Sequence, residues 1–574
     1  MKKTLFVLAC FALTLRMPIA AALTEPAHPP IEMTLRVLHD GKGYQGFDIA
    51  LSFHGHASGE TTLYLPDQWG GERDLFRFVH DLTAEGGAIM PGNAPGQRVL
   101  RHAPNAKVSI RYRVAAAANE PARDKAGNDY RPQFSATHFH VIGNTMMVKP
   151  ASVHDSAPAR VRIDGLPQGA TFASDLQHQE VGRKLVAGDL RESVLVGGDF
   201  RVIDAGGGAR LAIRGEWKRN DAEWAVAFKR IAQSQRAYWK SGDEPFLVTI
   251  LPLPQTDPNS TSVGGTGRSD AFAFFATPNA SPARIDQVMA HEMMHTWVPR
   301  RIARMPEKDE QLSYWLSEGF TDWTTWRVMV RSGAWTPADF AKALNEAVQD
   351  YDRSPVKAAP NSLVLEKFWR DGDVQRLPYR RGMLFAVHVD QLVRHATKGA
   401  RNLDDVLAIM QRETELNPVE RGTARRLLTA AVKEVASIDI APDLEAHIDR
   451  GEPVSLPGNV FAPCGTFDER KRPVFHRGFD VEATAKAGNV IQGTVPDGPA
   501  HRAGLRDGMK LIKRSGGEIG NAEIEIRYDV MDGGAAKTLA WLPVGGGVEK
   551  LREFKVDPSL AGDALKACTT RLGG

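Results

Sequence analysis

The chain has 574 residues, of which 42% are hydrophobic and 25% charged, and its formal net charge is +3. This composition is ordinary for a globular protein, and about 150 residues per domain predicts about three or four domains. The near balance of charge and the lack of a long basic run argue against a nucleic-acid partner.

The first residues have the pattern of an export signal. Lysines at 2 and 3 precede an apolar run from Leu5 to Leu15, and small residues at 20–22 offer a cleavage site. The run is shorter than the roughly 20 apolar residues that span a bilayer. We expect a signal peptide over 1–22, a periplasmic or secreted protein and no membrane span after cleavage, with an uncleaved anchor as the alternative.

Residues 23–215 alternate apolar and polar side chains in short runs such as GFDIALSFHG and KVSIRYRVAA. Turns rich in Gly, Pro and Asn separate these runs, which predicts an antiparallel β-sandwich. From 216 to 455 the period changes to that of helices, as in RGMLFAVHVDQLVRHA, with PFLVTILPLP as a buried strand. This region predicts an α/β, mainly helical domain.

The chain has three cysteines. Cys10 falls within the expected signal and follows VLA, a weak likeness to a lipidation box. Cys464 and Cys568 flank the C-terminal region. In an exported chain they could form one disulfide, or they could be two separate buried thiols, and the sequence leaves both readings open.

The stretch AHEMMHTWVPRRI at 290–302 carries the strongest chemical signal. On a helix His291 and His295 share a face and can point two imidazoles at one ion, which suits tetrahedral zinc. Glu292 lies one residue further round, where it can accept a proton from zinc-activated water. HExxH also occurs by chance in ordinary helices, so a third ligand is needed to argue for catalysis.

A third ligand is offered by YWLSEGFTDWTTW, which begins at residue 314. Glu318 and Asp322 are four residues apart and share a helix face. Glu318 can bind the ion while Asp322 accepts the outer N–H of a ligand histidine, which fixes its tautomer. Together the two segments predict a zinc peptidase site.

These motifs resemble the gluzincins, zinc peptidases whose third ligand is glutamate. HTWVPRRI, LSEGFTDW and YRRGMLFAVHVDQLV are most similar to the glycyl aminopeptidase family. The resemblance implies a β domain, a thermolysin-like domain and a C-terminal PDZ domain. It implies one Zn²⁺ per chain on His291, His295 and Glu318, with Glu292 as general base. Tyr379 matches a tyrosine that stabilises the tetrahedral intermediate in related gluzincins, although a tyrosine there could also only pack.

One segment departs from the related enzymes, whose Gly-Gly-hydrophobic-Glu motif anchors the substrate amine. Here VGGTGRSDAFAFFAT keeps Gly264 and Gly265, but Gly267 or a neighbour stands at the glutamate position. Asp270 could substitute, whereas Arg268 would repel an amine and attract a carboxylate. The two glycines could pair with an extended substrate as in edge-strand addition, or form a plain turn.

Residues 470–574 return to short strands, and VPDGPAHRAGLRDGMKLI resembles a PDZ domain. The resemblance places Gly478 and Phe479 in a loop that grips a chain terminus. The alternative is a small β domain that only packs on the catalytic one.

The sequence therefore predicts a multidomain, exported zinc metallopeptidase acting on peptides or unfolded proteins. Family resemblance implies an aminopeptidase with a preference for small residues. The alternatives are an endopeptidase on the same scaffold, a non-catalytic peptide-binding chaperone, and hydrolysis of a non-peptide amide or epoxide.

Overall fold

The structure is a computed structural model that describes residues 28–116, 130–255, 261–268, 270–417 and 420–574. The expected signal peptide at 1–22 and Cys10 lie outside the described residues. Within the described part of the chain, no helix is both long and apolar enough to cross a membrane.

The N-terminal region is β-rich, as predicted. Its strands are β1 Ile31–His39, β2 Tyr44–His54, β3 Glu60–Tyr64, β4 Val79–Glu85, β5 Gly87–Pro91, β6 Gln97–His102, β7 Lys107–Val114, β8 Gln133–Phe134, β9 His138–Ile142, β10 Lys149–Pro150, β11 Pro158–Asp164, β12 Thr171–Ser174, β13 Leu185–Val186 and β14 Val194–Gly198. One short α-helix, α1 (Ala187–Arg191), and the 3₁₀ turns Leu75–Phe78, Gly143–Thr145 and Asp175–Val181 connect them.

These strands form three sheets, ordered β13-β11-β1-β2-β7-β4, β10-β3-β6-β5 and β12-β14-β9-β8. Pairing is antiparallel except between β1 and β11. Alternation sets the core, since Ile31, Met33, Leu35 and Val37 are buried while their neighbours along β1 are more exposed. The buried faces of the first two sheets and part of the third meet in one apolar core.

The central region is built on a five-stranded sheet of order β15-β16-β17-β19-β18. Its strands are β15 Arg201–Gly206, β16 Ala209–Ile213, β17 Phe246–Pro252, β18 Val263–Gly267 and β19 Ala271–Ala276. The first two lie before 215, so the sequence-based boundary at 215 cuts through this sheet. Sheet membership depends on pairing with strands distant in the chain, which local alternation does not reveal.

Helices cover one face of this sheet and hold most of the largest apolar core. They are α2 Asp221–Trp239, α3 Pro282–Met294, α4 Tyr314–Ser317, α5 Gly319–Arg331, α6 Pro337–Arg353, α7 Ser362–Lys367, α8 Gly372–Ala396, α9 Leu403–Leu416, α10 Ala424–Ala436 and α11 Ala441–Asp443. A 3₁₀ turn at Glu310–Ser313 precedes α4, and a π-helical turn at Leu444–Asp449 follows α11. The other face of the sheet packs against β9 and β14.

The C-terminal region splits into two parts. Its elements are β20 Gly465–Phe475, α12 Val481–Lys486, α13 Pro499–Arg502, β21 Lys510–Gly516, β22 Ile526–Asp532, β23 Ala535–Trp541, β24 Val544–Val556 and α14 Gly562–Gly573. β20 pairs with β24. Phe467 on β20, Phe554 on β24 and Leu572 on α14 are part of the central core. Cys464 and Cys568 form a disulfide that ties the start of β20 to α14.

The segment between β20 and β24 is a small module, residues 476–543, with its own core. His476 N–H donates to the Pro543 carbonyl at 2.8 Å, so the two ends of the module lie side by side. The predicted unit 470–574 therefore divides, because β24 and α14 pack on the central domain. A strand partner some 80 residues away cannot be read from local pattern.

Candidate metal centre

The helix that carries HEMMH forms for identifiable local reasons. Ser281 caps α3 by accepting the Arg284 N–H at 3.3 Å, and Pro282 occupies the first helical position. Met289, Met293 and Met294 are buried against the central core. Packing of this apolar face leaves His291, Glu292 and His295 on the remaining side of the helix.

Three ligand atoms converge at one point. Glu318 Oε2 lies 3.4 Å from His291 Nε2 and 3.4 Å from His295 Nε2. A tetrahedral zinc ion with bonds of about 2.0–2.1 Å holds its ligand atoms about 3.3 Å apart, so both separations from Glu318 match zinc spacing. All three ligand atoms lie within 4.8 Å of one another. The structure thus brings together all three predicted ligands.

The outer nitrogens of both histidines are already engaged. His291 Nδ1 donates to Asp322 Oδ1 at 2.8 Å, and His295 Nδ1 donates to the Val298 carbonyl at 2.8 Å. Both hydrogen bonds leave the Nε2 lone pairs free for a metal. Arg380 in turn lies 3.6 Å from Asp322 and 3.0 Å from Asp350. This pair of contacts holds the Asp322 carboxylate in place.

The electrostatics of this cluster favour a cation. Burial opposes the charged form of His291, but Asp322 and Glu318 outweigh it and raise its pKa to about 10. Burial likewise opposes ionisation of Glu318, yet the neighbouring histidines hold its pKa well below its usual range. The cluster therefore stabilises positive charge between its ligands, which is what a bound Zn²⁺ supplies.

Glu292 faces strand β18. Burial raises the pKa of its carboxyl, while a hydrogen bond from the Gly267 N–H acts in the opposite direction. A Cβ added to Gly267 would lie 3.9 Å from Glu292 Oε2 and 3.4 Å from His295 Cβ. The glycine at this position thus keeps β18 close to the base and leaves no side chain between them.

Tyr379 reaches the centre from α8. Its ring stacks on His291 at 6.0 Å between centroids. Burial raises its pKa well above the usual value, and Glu318, to which the hydroxyl donates, adds to the rise. The phenol is therefore kept as a neutral donor.

Two glycines allow this approach. A Cβ on Gly382 would collide with the Trp315 carbonyl, and one on Gly319 would collide with Gly382 itself. Only glycine lets α8 lie this close to α4 and α5. Tyr379 lies about one turn before Gly382 on α8, and Glu318 directly precedes Gly319. The close contact between the two glycines therefore places Tyr379 beside Glu318.

Of the expected substrate-binding residues, the two glycines lie on an edge strand, whereas Asp270 is held in an ion pair. Gly264 and Gly265 lie in β18, the edge strand of the central sheet. The Gly265 carbonyl accepts a hydrogen bond from the Tyr130 hydroxyl at 2.8 Å. Asp270 is largely buried and forms an ion pair with Arg183. This pairing argues against Asp270 as an amine anchor.

Arg268 does not extend freely into the cleft. Its side chain is buried, its guanidinium lies 4.2 Å from the Trp69 ring, and it donates to the Glu192 carbonyl. It therefore joins the central sheet to the N-terminal β domain.

The predicted peptide loop of the C-terminal module stays a prediction. Phe479 is buried in the module core, and Gly478 has a φ of +86°. The Gly478 N–H donates to His476 Nδ1 at 3.0 Å, so this group is used within the module.

Sequence reasoning missed the Val298 carbonyl, Arg380, Gly319 and Gly382. The two glycines carried a signal, since each lies in a motif beside a predicted site residue. The Val298 carbonyl carried none, because a backbone contact has no residue signature.

Comparison with known proteins agrees with this geometry. Residues 284–362 match the family model described as M61 glycyl aminopeptidase. A search of curated proteins gives no match. Similar solved structures include an aminopeptidase N family protein from Idiomarina loihiensis, 13% identical with a TM-score of 0.64 over 94% of this chain and 100% of that chain.

Two further structures align less closely. The M1 zinc metallopeptidase from Deinococcus radiodurans is 16% identical, with a TM-score of 0.45 over 75% of this chain and 96% of that chain. Yeast LTA4 hydrolase in complex with bestatin is 14% identical, with a TM-score of 0.46 over 76% of this chain and 70% of that chain.

The family match spans all three ligand positions and Glu292. It supports the expected enzyme class, an aminopeptidase-like peptidase, and His291, His295 and Glu318 form a group that could hold the expected metal ion. The Idiomarina structure supports the fold, a β-rich N-terminal domain followed by a helical domain.

Proposed function

We propose that this gluzincin-type chain is an exported peptidase that hydrolyses peptide bonds at the centre formed by His291, His295 and Glu318. The observation that carries the proposal is the pair of 3.4 Å separations that set the ligand atoms at zinc spacing. Zinc would supply a Lewis acid and a water of lowered pKa. A non-catalytic chaperone role is disfavoured, because the three ligand residues, the base and the hydrogen bonds of both histidine Nδ1 atoms are all present.

Glu292 is the proposed general base. Its carboxylate lies next to the ligand histidines on the same helix, and burial raises its pKa, which makes the ionised carboxylate a better proton acceptor. It takes a proton from the attacking water and passes it to the leaving amine. Tyr379 donates a hydrogen bond to the oxygen of the scissile carbonyl, where negative charge develops.

The substrate would lie along β18. This strand is the edge of its sheet and faces the metal helix, so an extended peptide can add to it as a further strand. Gly267 leaves the backbone beside Glu292 open. The scissile bond can therefore lie directly over the base.

Aminopeptidase action with small-residue preference is supported by the family match. A second candidate, internal cleavage, is favoured by Asp270, which pairs with Arg183 instead of facing a free amine. Mass spectrometry of products from an unblocked peptide library separates the two. Stepwise loss of N-terminal residues supports the aminopeptidase, and internal cuts support the endopeptidase.

Export is supported by the N-terminal pattern and by the Cys464–Cys568 disulfide, which needs an oxidising compartment. A periplasmic or secreted location follows from that proposal. Cell fractionation with the full chain tests it.

The base assignment is tested with Glu292→Gln. The variant should keep its zinc and lose at least about 100-fold in kcat, because proton transfer by a positioned base contributes about that much. Metal analysis and peptide hydrolysis on the same sample check both halves. Retained turnover would remove Glu292 from the mechanism.

A further inference from the structure

A second cluster of metal-ligand side chains lies outside the catalytic centre. His388, Asp443 and His447 each present one ligand atom, and these atoms all lie within 4.8 Å of one another. His388 Nε2 is 2.7 Å from Asp443 Oδ1. Within the described part of the chain, this cluster and the catalytic one are the two sets that could hold an ion.

The cluster joins two elements that are distant in sequence. His388 lies on α8, nine residues after Tyr379, or about 13 Å further along the helix. Asp443 ends α11, and His447 follows it by four residues in the π-helical turn. The flanking Leu444 and Ile448 are fully buried, so this turn is fixed against the core and presents both ligands to α8.

The local hydrogen bonds prepare His447 for a metal. Its Nδ1 is 2.9 Å from the Glu452 carbonyl, to which it donates, and this leaves the Nε2 lone pair free. A ligand histidine with its outer N–H on a backbone carbonyl is the arrangement already seen at His295. The centroids of the His388 and His447 rings lie 5.3 Å apart, so both imidazoles border the same small space.

The surroundings suit an ion that keeps one position open to water. The side chains of His388 and Asp443 are 19% and 27% exposed. Two imidazoles and one carboxylate are a donor set typical of zinc and related divalent transition metals. Because zinc ligands lie about 3.3 Å apart, the His388–Asp443 contact would open slightly on binding.

We propose that His388, Asp443 and His447 form a second divalent transition-metal site, distinct from the catalytic centre. Bound metal would link α8, which carries Tyr379, to the turn at 444–449. The competing explanation is a plain hydrogen bond between His388 and Asp443 that needs no ion.

The test is metal stoichiometry of the full chain after zinc loading and removal of loose ions. Wild type should retain two equivalents of Zn²⁺, and His447→Ala should retain one with peptidase activity present. His395→Ala, which removes an exposed histidine from the last turn of α8, is the matched control and should retain two. Circular dichroism confirms that each variant is folded.

A second comparison separates this site from the catalytic one. His295→Ala should retain one equivalent, and the double variant with His447→Ala should retain none. His447→Gln repeats the measurement should the alanine variant unfold. Equal zinc content in wild type and His447→Ala would overturn the second site, whereas unchanged content in His295→Ala would overturn the catalytic assignment instead.

Discussion

The catalytic domain and the module at 476–543 differ in how they are joined to the rest of the chain. At the metal centre each ligand is held by further contacts, from Asp322, from the Val298 carbonyl and through glycine-tight packing of α8. The module is an insertion whose ends meet at one backbone hydrogen bond. Sequence order is therefore a poor guide to which parts of the chain can be removed without unfolding it.

The largest effect is expected from truncation. Ending the chain at residue 469 removes β24, α14 and the disulfide, all of which pack on the catalytic core. We expect loss of soluble, folded protein. Excising 478–541 and joining the ends with a short linker should instead leave a folded enzyme that cleaves short peptides, because the ends already meet.

Size-exclusion chromatography and peptide hydrolysis check both forms. If the module delivers substrate, excision should raise KM for long chains and spare short ones. Equal effects on both lengths would contradict a delivery role. Loss of folding in the excised form would contradict the division of the C-terminal region.

We expect Gly382→Ala to disrupt the close contact between α8 and α4. The added methyl group would collide with the Trp315 carbonyl and push α8 away from Glu318. We expect a loss of about 3 kcal/mol in the free energy of unfolding, together with loss of activity. Gly372→Ala is the control on the same helix, since only Arg376 lies within 4 Å of the added atom, at 3.6 Å.

Denaturant unfolding measures both glycine variants. Similar stability for the two would show that α4 and α8 can separate at little cost. The positioning of Tyr379 would then need another explanation.

A smaller effect is expected from Asp322→Asn, which replaces the carboxylate acceptor of His291 with a neutral amide that can also donate and so permits the wrong tautomer. Loss of such a partner typically costs about 10- to 100-fold in metal affinity. Zinc competition with a chromophoric chelator measures this change. Asp350→Asn, which alters the other partner of Arg380, should change affinity much less.

The smallest effect on activity is expected at Asp175, which is fully buried and distant in the chain from the ligands, so that its effect falls on stability. Burial raises its pKa to about 7 from the ordinary 3.8, although the Val194 N–H bonded to it acts the other way. Stability linked to this carboxyl is complete below about pH 4 and is lost as the pH rises through 7. The stability advantage of Asp175→Asn should therefore grow from pH 4 to 7 and then level off.

Thermal unfolding across this pH range checks the prediction. A constant difference between variant and wild type would show that Asp175 ionises normally in the folded chain.

The sequence was most informative where chemistry requires fixed spacing. The convergence of His291, His295 and Glu318 was predictable because a helix and a zinc ion allow few arrangements. Gly382 lies in a recognisable motif, but its packing role could not be predicted, because close packing between α4 and α8 is a property of two distant segments. The domain boundaries at 215 and 470 differ from the structure for the same reason.

The most direct test of the central claim is hydrolysis of an unblocked peptide mixture by the full chain before and after metal removal. Activity should disappear with the metal, return when Zn²⁺ is added, and not return in His295→Ala. Hydrolysis that persists without metal, or that zinc restores equally in His295→Ala, would contradict that claim.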